Sequence, residues 1–351
     1  MRSAWQGVCR TMHALMKPVV LRLSVRTYSS KGPGILAFVR ELRQENTSQE
    51  SLDRFNHRGS SIQNELLVAP VPDRLAMLEA LSNLRSYPIT NFMLIFLEAY
   101  LETLHSLCDG ETFSERADGI RSVLLCFNRA GVTTEQMRLL YAHIETDFPA
   151  IEAMGTTLPM PTAVNLCHTM LATGLSSAPA IQVLLRAALR EPLMHFSDSA
   201  PELRKLKFIE MLLRVDFLST LESLPPEVLE YLSVVRSLRY YDPELRRDTG
   251  LSYQLAYFLR KHGFPAKRMM LGPYALKVSD PELRINFEPV DRRKSALRGR
   301  ENPSARKARH LEAIGWRNFN VHADVWQELE TRTRRADFVR NLLKENELLE
   351  T

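Results

Sequence analysis

The sequence predicts an α-helical region of helical hairpins, followed at its C-terminal end by a small α/β domain. From about residue 34 to Gly263 the apolar residues recur with a period of 3.6, which is typical of amphipathic helices. After Gly263 short alternating segments appear, and alternation is typical of half-buried strands. The chain has 351 residues, 45% of them hydrophobic, which is enough for about two domains with sizeable cores.

The first forty residues contain no Asp or Glu, whereas Arg and Lys occur throughout them. A positive, amphipathic N-terminus without acidic residues is typical of a mitochondrial transit peptide, which the inner-membrane potential draws inward. The segment RTYSS, Arg26–Ser30, resembles a matrix-protease cleavage site. We therefore expect a transit peptide over 1–30 and a mature protein in the mitochondrial matrix. The alternative is a basic tail that binds RNA directly.

The helical-hairpin region is expected over 34–263. Helix ends are indicated by Gly131 and Gly174, because glycine readily adopts the positive φ of a helix C-terminus. The segments LLCFNRAGVTTEQMRLL and HTMLATGLSSAPAIQVLL share one pattern of helix, Gly, hydroxyl pair and helix. A similar helix–loop–helix follows them, which suggests degenerate repeats stacked as a short α-solenoid. An irregular helical bundle remains the alternative.

No motif for a metal, a cofactor or a membrane span stands out. The four cysteines form no C-x-x-C pair, and none has metal-ligand spacing with a histidine, so we interpret them as buried free thiols. The apolar stretch around Phe92–Phe96 is interrupted by Glu98, far short of the roughly 20 residues that a membrane span needs. We expect no cofactor, no bound metal and no membrane span.

The α/β domain is expected over 264–351. Two runs, Tyr274–Val278 and Leu283–Phe287, have the composition of strands, and Asp280-Pro281 between them indicates a turn. A helix is then expected over Ala305–Ile314, ended by Gly315, followed by a strand over Trp316–Val321. A closing amphipathic helix is expected over 324–347, with Asp324 as its N-cap.

A strongly basic segment connects the last two predicted strands. Nine Lys or Arg residues lie between Arg292 and Arg317, against only two acidic residues, Glu301 and Glu312. Cations of this density contact phosphates, and an exposed aromatic ring nearby can stack a base. Trp316 could instead be a core residue. The residues expected to contact RNA are Arg292, Arg293, Lys294, Arg298, Arg300, Arg306, Lys307, Arg309, His310, Trp316 and Arg317.

The segment ARHLEAIGWRNFNVHADVWQELETRTRRADFVRNLL, residues 308–343, resembles the C-terminal half of a RAP domain. That family has a helix of the form R-x-x-L-E-x-x-G-W, a strand, a Trp-containing segment and a closing helix. The matching residues are Arg309, Leu311, Glu312, Gly315, Trp316, Trp326 and Leu342, with Arg309 one position closer to Leu311 than in that form. The resemblance extends over about residues 274–345. It implies an organellar RNA-binding protein similar to the FAST kinase-like family, with a fold that resembles restriction endonucleases.

Catalysis is not expected from these residues. A restriction-type nuclease needs metal-binding carboxylates and a nearby Lys, commonly as Glu-x-Lys. Glu288 would take the second-strand position, but Pro289-Val290 follow it, and Arg293 is a poor base. Asp280 and Glu282 lie in the expected turn. Kinase and P-loop motifs are absent from the sequence.

These patterns favour a non-catalytic RNA-binding protein of the mitochondrial matrix, acting in RNA processing, RNA stability or ribosome biogenesis. Its partner would be mitochondrial mRNA or rRNA. One alternative is a structural subunit or assembly component of the mitochondrial ribosome, in contact with mitochondrial ribosomal proteins. A second alternative is an RNA endonuclease with an atypical set of carboxylates.

Overall fold

A computed structural model of the chain describes residues 117, 120–121, 124–125, 158–193, 197–245, 250–290 and 303–348. All of them belong to one compact unit. The expected transit peptide and the expected helix end at Gly131 lie outside the described residues, as does the first part of the basic segment, 292–302. The five described residues between 117 and 125 are helical, as the sequence predicts for that stretch.

The first described part is helical, as predicted. Four of its helices have a Pro at their first or second position, where the missing N–H costs nothing because the first turn has no intrahelical acceptor. Its elements are α1 (Met160–Ala172), α2 (Ala178–Leu189), α3 (Pro201–Val215), α4 (Leu218–Glu222), α5 (Pro226–Ser237), a 3-10 turn (Pro243–Leu245) and α6 (Gly250–Lys261).

Helix α1 packs against both α2 and α3, and the buried residues of these three helices are mostly aliphatic. Gly174 separates the first two, with a φ of 93°, and its N–H donates to the Leu171 carbonyl at 3.1 Å. The next N–H, that of Leu175, donates to the Met170 carbonyl at 2.9 Å. These two bonds form a Schellman motif, which satisfies carbonyls that the helix end would leave unpaired. The predicted helix end at Gly174 is confirmed.

A four-stranded mixed sheet follows, in the spatial order β1–β2–β3–β4. The first three strands are antiparallel neighbours, and β3 pairs with β4 in parallel. Because a parallel pair needs a crossover, helix α7 (Pro303–Ala313) lies between β3 and β4 along the chain. The strands are β1 (Lys267–Leu271), β2 (Tyr274–Asp280), β3 (Ile285–Val290) and β4 (Arg317–His322).

Strands were predicted at three of these four positions. The turn at Asp280 is confirmed, because its Oδ1 accepts the N–H of Glu282 at 2.9 Å. The prediction that β3 begins at Leu283 was wrong, because it begins at Ile285. Leu283 precedes the strand and is 54% exposed, since the turn extends to Arg284, whose φ is 53°.

The C-terminal helical segment consists of two helices, α8 (Ala323–Glu328) and α9 (Arg332–Glu345), and not of the single helix that the sequence predicted. The break falls where Thr331 caps α9, its side chain accepting the Arg334 N–H at 3.2 Å. Asp324 is not the N-cap of α8. His322 holds that position, and Asp324 lies in the first turn, where a carboxylate still interacts favourably with the helix dipole.

Two apolar clusters cover the sheet. Helices α6 and α9 meet Phe287 and Val321 in the larger one, which we call the α6/α9 cluster. Helices α3 and α7 meet Leu276 and Trp316 in the smaller one, the α3/α7 cluster. The sheet is therefore sandwiched between helices. Within the described residues, no helix is both long and apolar enough to cross a membrane.

Candidate nucleic-acid interface

Five of the eleven predicted RNA-contacting residues lie outside the described residues, within the connection from Val290 at the end of β3 to Pro303 at the start of α7. They are Arg292, Arg293, Lys294, Arg298 and Arg300. The other six lie on α7, at its C-terminal end and at the start of β4. The structure therefore places the second half of the basic segment.

Helix α7 ends at a fixed point. Gly315 has a φ of 82°, and its N–H donates to the Glu312 carbonyl at 2.9 Å. The Trp316 N–H donates to the Leu311 carbonyl, also at 2.9 Å. This Schellman motif turns the chain directly into β4, where the Arg317 N–H donates to the Arg284 carbonyl. The predicted helix end at Gly315 is confirmed.

Two predicted residues, Arg306 and Arg309, line a cleft of about 500 Å³. The cleft lies between α7 and the C-terminal ends of α1 and α3. One N–H of Arg306 donates to the Ala172 carbonyl at 3.1 Å, which places a cation at the negative end of the α1 dipole. Arg309 forms a bidentate ion pair with Asp216, with its Nη2 3.1 Å from Oδ2. The cleft therefore has two guanidinium groups and one carboxylate at its wall.

Asp216 is the centre of a partly buried network of hydrogen bonds. Its Oδ2 lies 3.0 Å from His310 Nε2, and His310 Nδ1 lies 2.7 Å from the hydroxyl of Tyr274. Burial opposes ionisation of Asp216, but the bonds from Arg309 and His310 outweigh it and hold the pKa of its carboxyl below the usual value. These hydrogen bonds link the C-terminal end of α3 to α7 and to β2.

His310 is wholly buried, and burial lowers its pKa although Asp216 acts in the opposite direction. The neutral ring is therefore favoured. With Nε2 donating to the Asp216 carboxylate, Nδ1 can accept the proton of the Tyr274 hydroxyl, so that every polar atom is satisfied. Both ring nitrogens thus have partners inside the protein. A phosphate contact by His310 would require its hydrogen bonds to Asp216 and Tyr274 to break.

Lys307 is also directed inward. Its Nζ donates to the Ala275 carbonyl at 2.8 Å and lies 2.5 Å from Glu288 Oε2. Burial lowers the pKa of the Lys307 ammonium, while Glu288 favours its charged form. As expected, no Lys follows Glu288 on β3 itself. A Lys is nevertheless close to Glu288 in space, because α7 supplies Lys307.

A ladder of asparagines extends from this ion pair across β3 and β4. Asn286 and Asn318 are register partners, and their side chains are joined by a hydrogen bond of 2.6 Å. Asn320 continues the ladder, 3.2 Å from the Asn318 amide. The Oδ1 atom of Asn286 is buried and accepts no hydrogen bond from the described residues.

In the described part of the chain, no group of three or more His, Cys, Asp or Glu residues could hold a metal ion.

Trp316 and Arg317 have opposite environments. Trp316 is 7% exposed and packs in the α3/α7 cluster beside Met211 and Leu311, which favours the alternative of a core residue. Arg317 is exposed at the start of β4. Its guanidinium donates to the Asn346 carbonyl at 2.8 Å and lies 5.3 Å from the centroid of the Phe319 ring.

Sequence reasoning missed Asp216, Tyr274 and the ladder. Asn286 and Glu288 alternate with Phe287 on β3, as Asn318 and Asn320 alternate with Phe319 on β4, so alternation indicates a polar face on each strand but not that the two faces join. Asp216 gave no signal, because its partners are more than ninety positions away.

Comparison of the chain with models of known protein families gave no match, and no curated protein was significantly similar to it.

Proposed function

We propose that this protein binds RNA in the mitochondrial matrix without catalysis of its own, and that it acts in mitochondrial RNA processing, RNA stability or ribosome biogenesis. In this proposal the sheet and its helices form a RAP-like domain similar to restriction endonucleases, and the helical hairpins before it form a short solenoid. The RNA would contact the basic segment and the cleft beside α7.

The continuity between the basic segment and the cleft carries the proposal. Arg306 lies one helical turn after Pro303, where the connection that contains Arg292 and Arg300 enters α7. Along the sequence, the cations of the connection therefore precede the two guanidinium groups of the cleft, of which Arg309 would have to exchange Asp216 for a phosphate. Planar guanidinium groups match phosphate oxygens in a bidentate manner, and several of them in succession suit a backbone that carries one charge per nucleotide.

Binding is favoured over cleavage by the state of Glu288. Its carboxylate faces Lys307 at 2.5 Å and the Asn286 amide at 3.3 Å. A carboxylate already neutralised by a buried ammonium is a poor ligand for a divalent cation, because the two cations would compete for the same oxygens. An endonuclease would need this pair to separate.

Charge reversal tests the proposal. In the full chain, Arg292→Glu, Arg293→Glu and Lys294→Glu are combined, and affinity for a fluorescein-labelled single-stranded RNA is measured as a function of salt. The slope in question is that of the logarithm of the binding constant against the logarithm of the salt concentration. Each phosphate that loses its cation should reduce the size of this slope by about 0.7. The matched control combines Arg186→Glu, Arg190→Glu and Arg340→Glu, which removes the same charge from exposed positions elsewhere. An equal change of slope in both variants would contradict the proposal.

Crosslinking in isolated mitochondria separates the candidate partners. Crosslinks to mRNA or precursor transcripts support a transient factor. Co-sedimentation with ribosomal particles at moderate salt supports the alternative of a ribosomal subunit or assembly component. Absence of the protein from the matrix, or recovery without any RNA, would contradict both forms of the proposal.

A further inference from the structure

The outward side of α6 carries an aromatic and cationic stripe. Tyr253, Tyr257 and Lys261 are four residues apart, so they lie on one side of the helix. Tyr253 is 60% exposed, the largest exposure among the exposed large hydrophobic residues that the structure describes. Neither tyrosine is part of the basic segment, and α6 and α7 contribute to different apolar clusters.

Two cations converge on Tyr257. The Nζ of Lys261 lies 5.3 Å from the ring centroid, and the guanidinium carbon of Arg332, from α9, lies 5.1 Å from it. Arg332 also donates a hydrogen bond to the Tyr257 hydroxyl. The hydrogen bond from Lys261 is the largest of the influences that hold the pKa of the Tyr257 phenol below its usual value. Such a cluster keeps two positive charges close together at the surface.

No carboxylate among the placed residues lies within ion-pair distance of Lys261 or Arg332. On the same helix as Arg332, Arg340 has its own partner in Asp337, at 3.2 Å. The stripe thus combines an exposed ring, Tyr253, with two cations that contact the phenol of Tyr257 and that pair with no carboxylate in the described part of the chain. This combination of rings and uncompensated positive charge is what single-stranded nucleic-acid sites use.

We propose that Tyr253, Tyr257, Lys261 and Arg332 form a second contact surface for RNA, one that takes a single-stranded segment. A base stacks on the exposed ring of Tyr253, and Lys261 and Arg332 hold the adjacent phosphates. The inference rests on the proposed function, but it uses other elements than the α7 cleft. Recognition by stacking tolerates any base, so this surface adds affinity without sequence preference.

The test uses the full chain and a fluorescein-labelled oligoadenylate, with affinity measured by anisotropy. Tyr253→Ala should weaken binding about five-fold or more, since the stacking of one base is abolished, and should leave the salt slope unchanged. Tyr253→Phe keeps a ring and should bind as the wild type does. An RNA duplex offers no free base face, so Tyr253→Ala should not affect its binding.

The charges are tested separately. Lys261→Gln combined with Arg332→Gln should reduce the salt slope by about 0.7 for each phosphate that the two side chains held. Arg340→Gln, on the same helix but paired with Asp337, is the matched control and should leave the slope unchanged.

Three results would overturn the inference: wild-type affinity in Tyr253→Ala, the same weakening with duplex RNA, or equal slopes in the double variant and in Arg340→Gln. If these occur while reversal of Arg292, Arg293 and Lys294 still weakens binding, the proposed function stands and only the second surface fails. If the wild-type chain binds no RNA, both proposals fail.

Discussion

The ion pair between Lys307 and Glu288 permits a quantitative test of whether these two side chains stabilise the fold. The two side chains are only 10% and 17% exposed, and their charged atoms are 2.5 Å apart. Lys307→Met preserves most of the side-chain volume. It leaves the Glu288 carboxylate without its cation and the Ala275 carbonyl without its donor.

Removal of one partner from a buried ion pair typically costs about 3–5 kcal/mol, because a charge stays behind without compensation. We expect a loss of that size in the free energy of unfolding of Lys307→Met. The double variant Lys307→Met with Glu288→Met leaves no charge and only one unsatisfied carbonyl. It should therefore lose less, about 1–3 kcal/mol.

Urea unfolding followed by tryptophan fluorescence is a suitable assay, because Trp316 and Trp326 are both buried. Arg186→Met is the matched control. This variant breaks the ion pair between Arg186 and Glu227, whose two side chains are 44% and 52% exposed. It should lower the free energy of unfolding by less than about 1 kcal/mol. Equal losses in Lys307→Met and Arg186→Met would refute the reasoning, as would a double variant less stable than Lys307→Met.

Two further predictions concern α7. Gly315→Ala should reduce the free energy of unfolding by about 1–2 kcal/mol in a urea titration, because an L residue is strained at a φ of 82°. Gly250→Ala, at a position without positive φ, is the control and should not destabilise the protein. Equal losses of stability in the two variants would contradict this prediction. His310 has a lowered pKa in the folded state, so its contribution to stability is complete above its unfolded pKa of about 6.5 and is lost as the pH falls towards the folded value. The urea midpoint should therefore fall on acidification from about pH 7 to pH 5 in the wild type and fall less in His310→Gln; parallel falls would exclude His310 as the cause.

Local patterns predicted the elements whose structure is determined by neighbouring residues. Gly174 and Gly315 end helices where predicted, since a left-handed residue after an apolar face is a local requirement. Strand-like composition located β2, and alternation located β4. The missed break at Thr331 was also encoded locally, because a Thr directly before a helical stretch is an N-cap signal, although the basic first turn of α9 lacks the acidic residues that usually accompany it.

Contacts between distant segments could not be predicted. Strand β1, KRMML, has no alternation of polar and apolar residues, and it is a strand because β2 provides its hydrogen-bond partners. Likewise Lys307 and His310 have the charge of RNA-binding residues in the sequence. Glu288 and Asp216, their partners, are distant in the sequence, so only the fold reveals that both side chains point inward.

The place of α6 in the core has a practical consequence for work on fragments. Leu255, Phe258 and Leu259 of this helix pack in one cluster with Val278 and Phe287 of the sheet. A recombinant fragment that starts at residue 264 would expose these strand residues to water and would tend to aggregate. Expression trials of the C-terminal part should therefore begin upstream of Gly250, so that the sheet retains the helix that shields it.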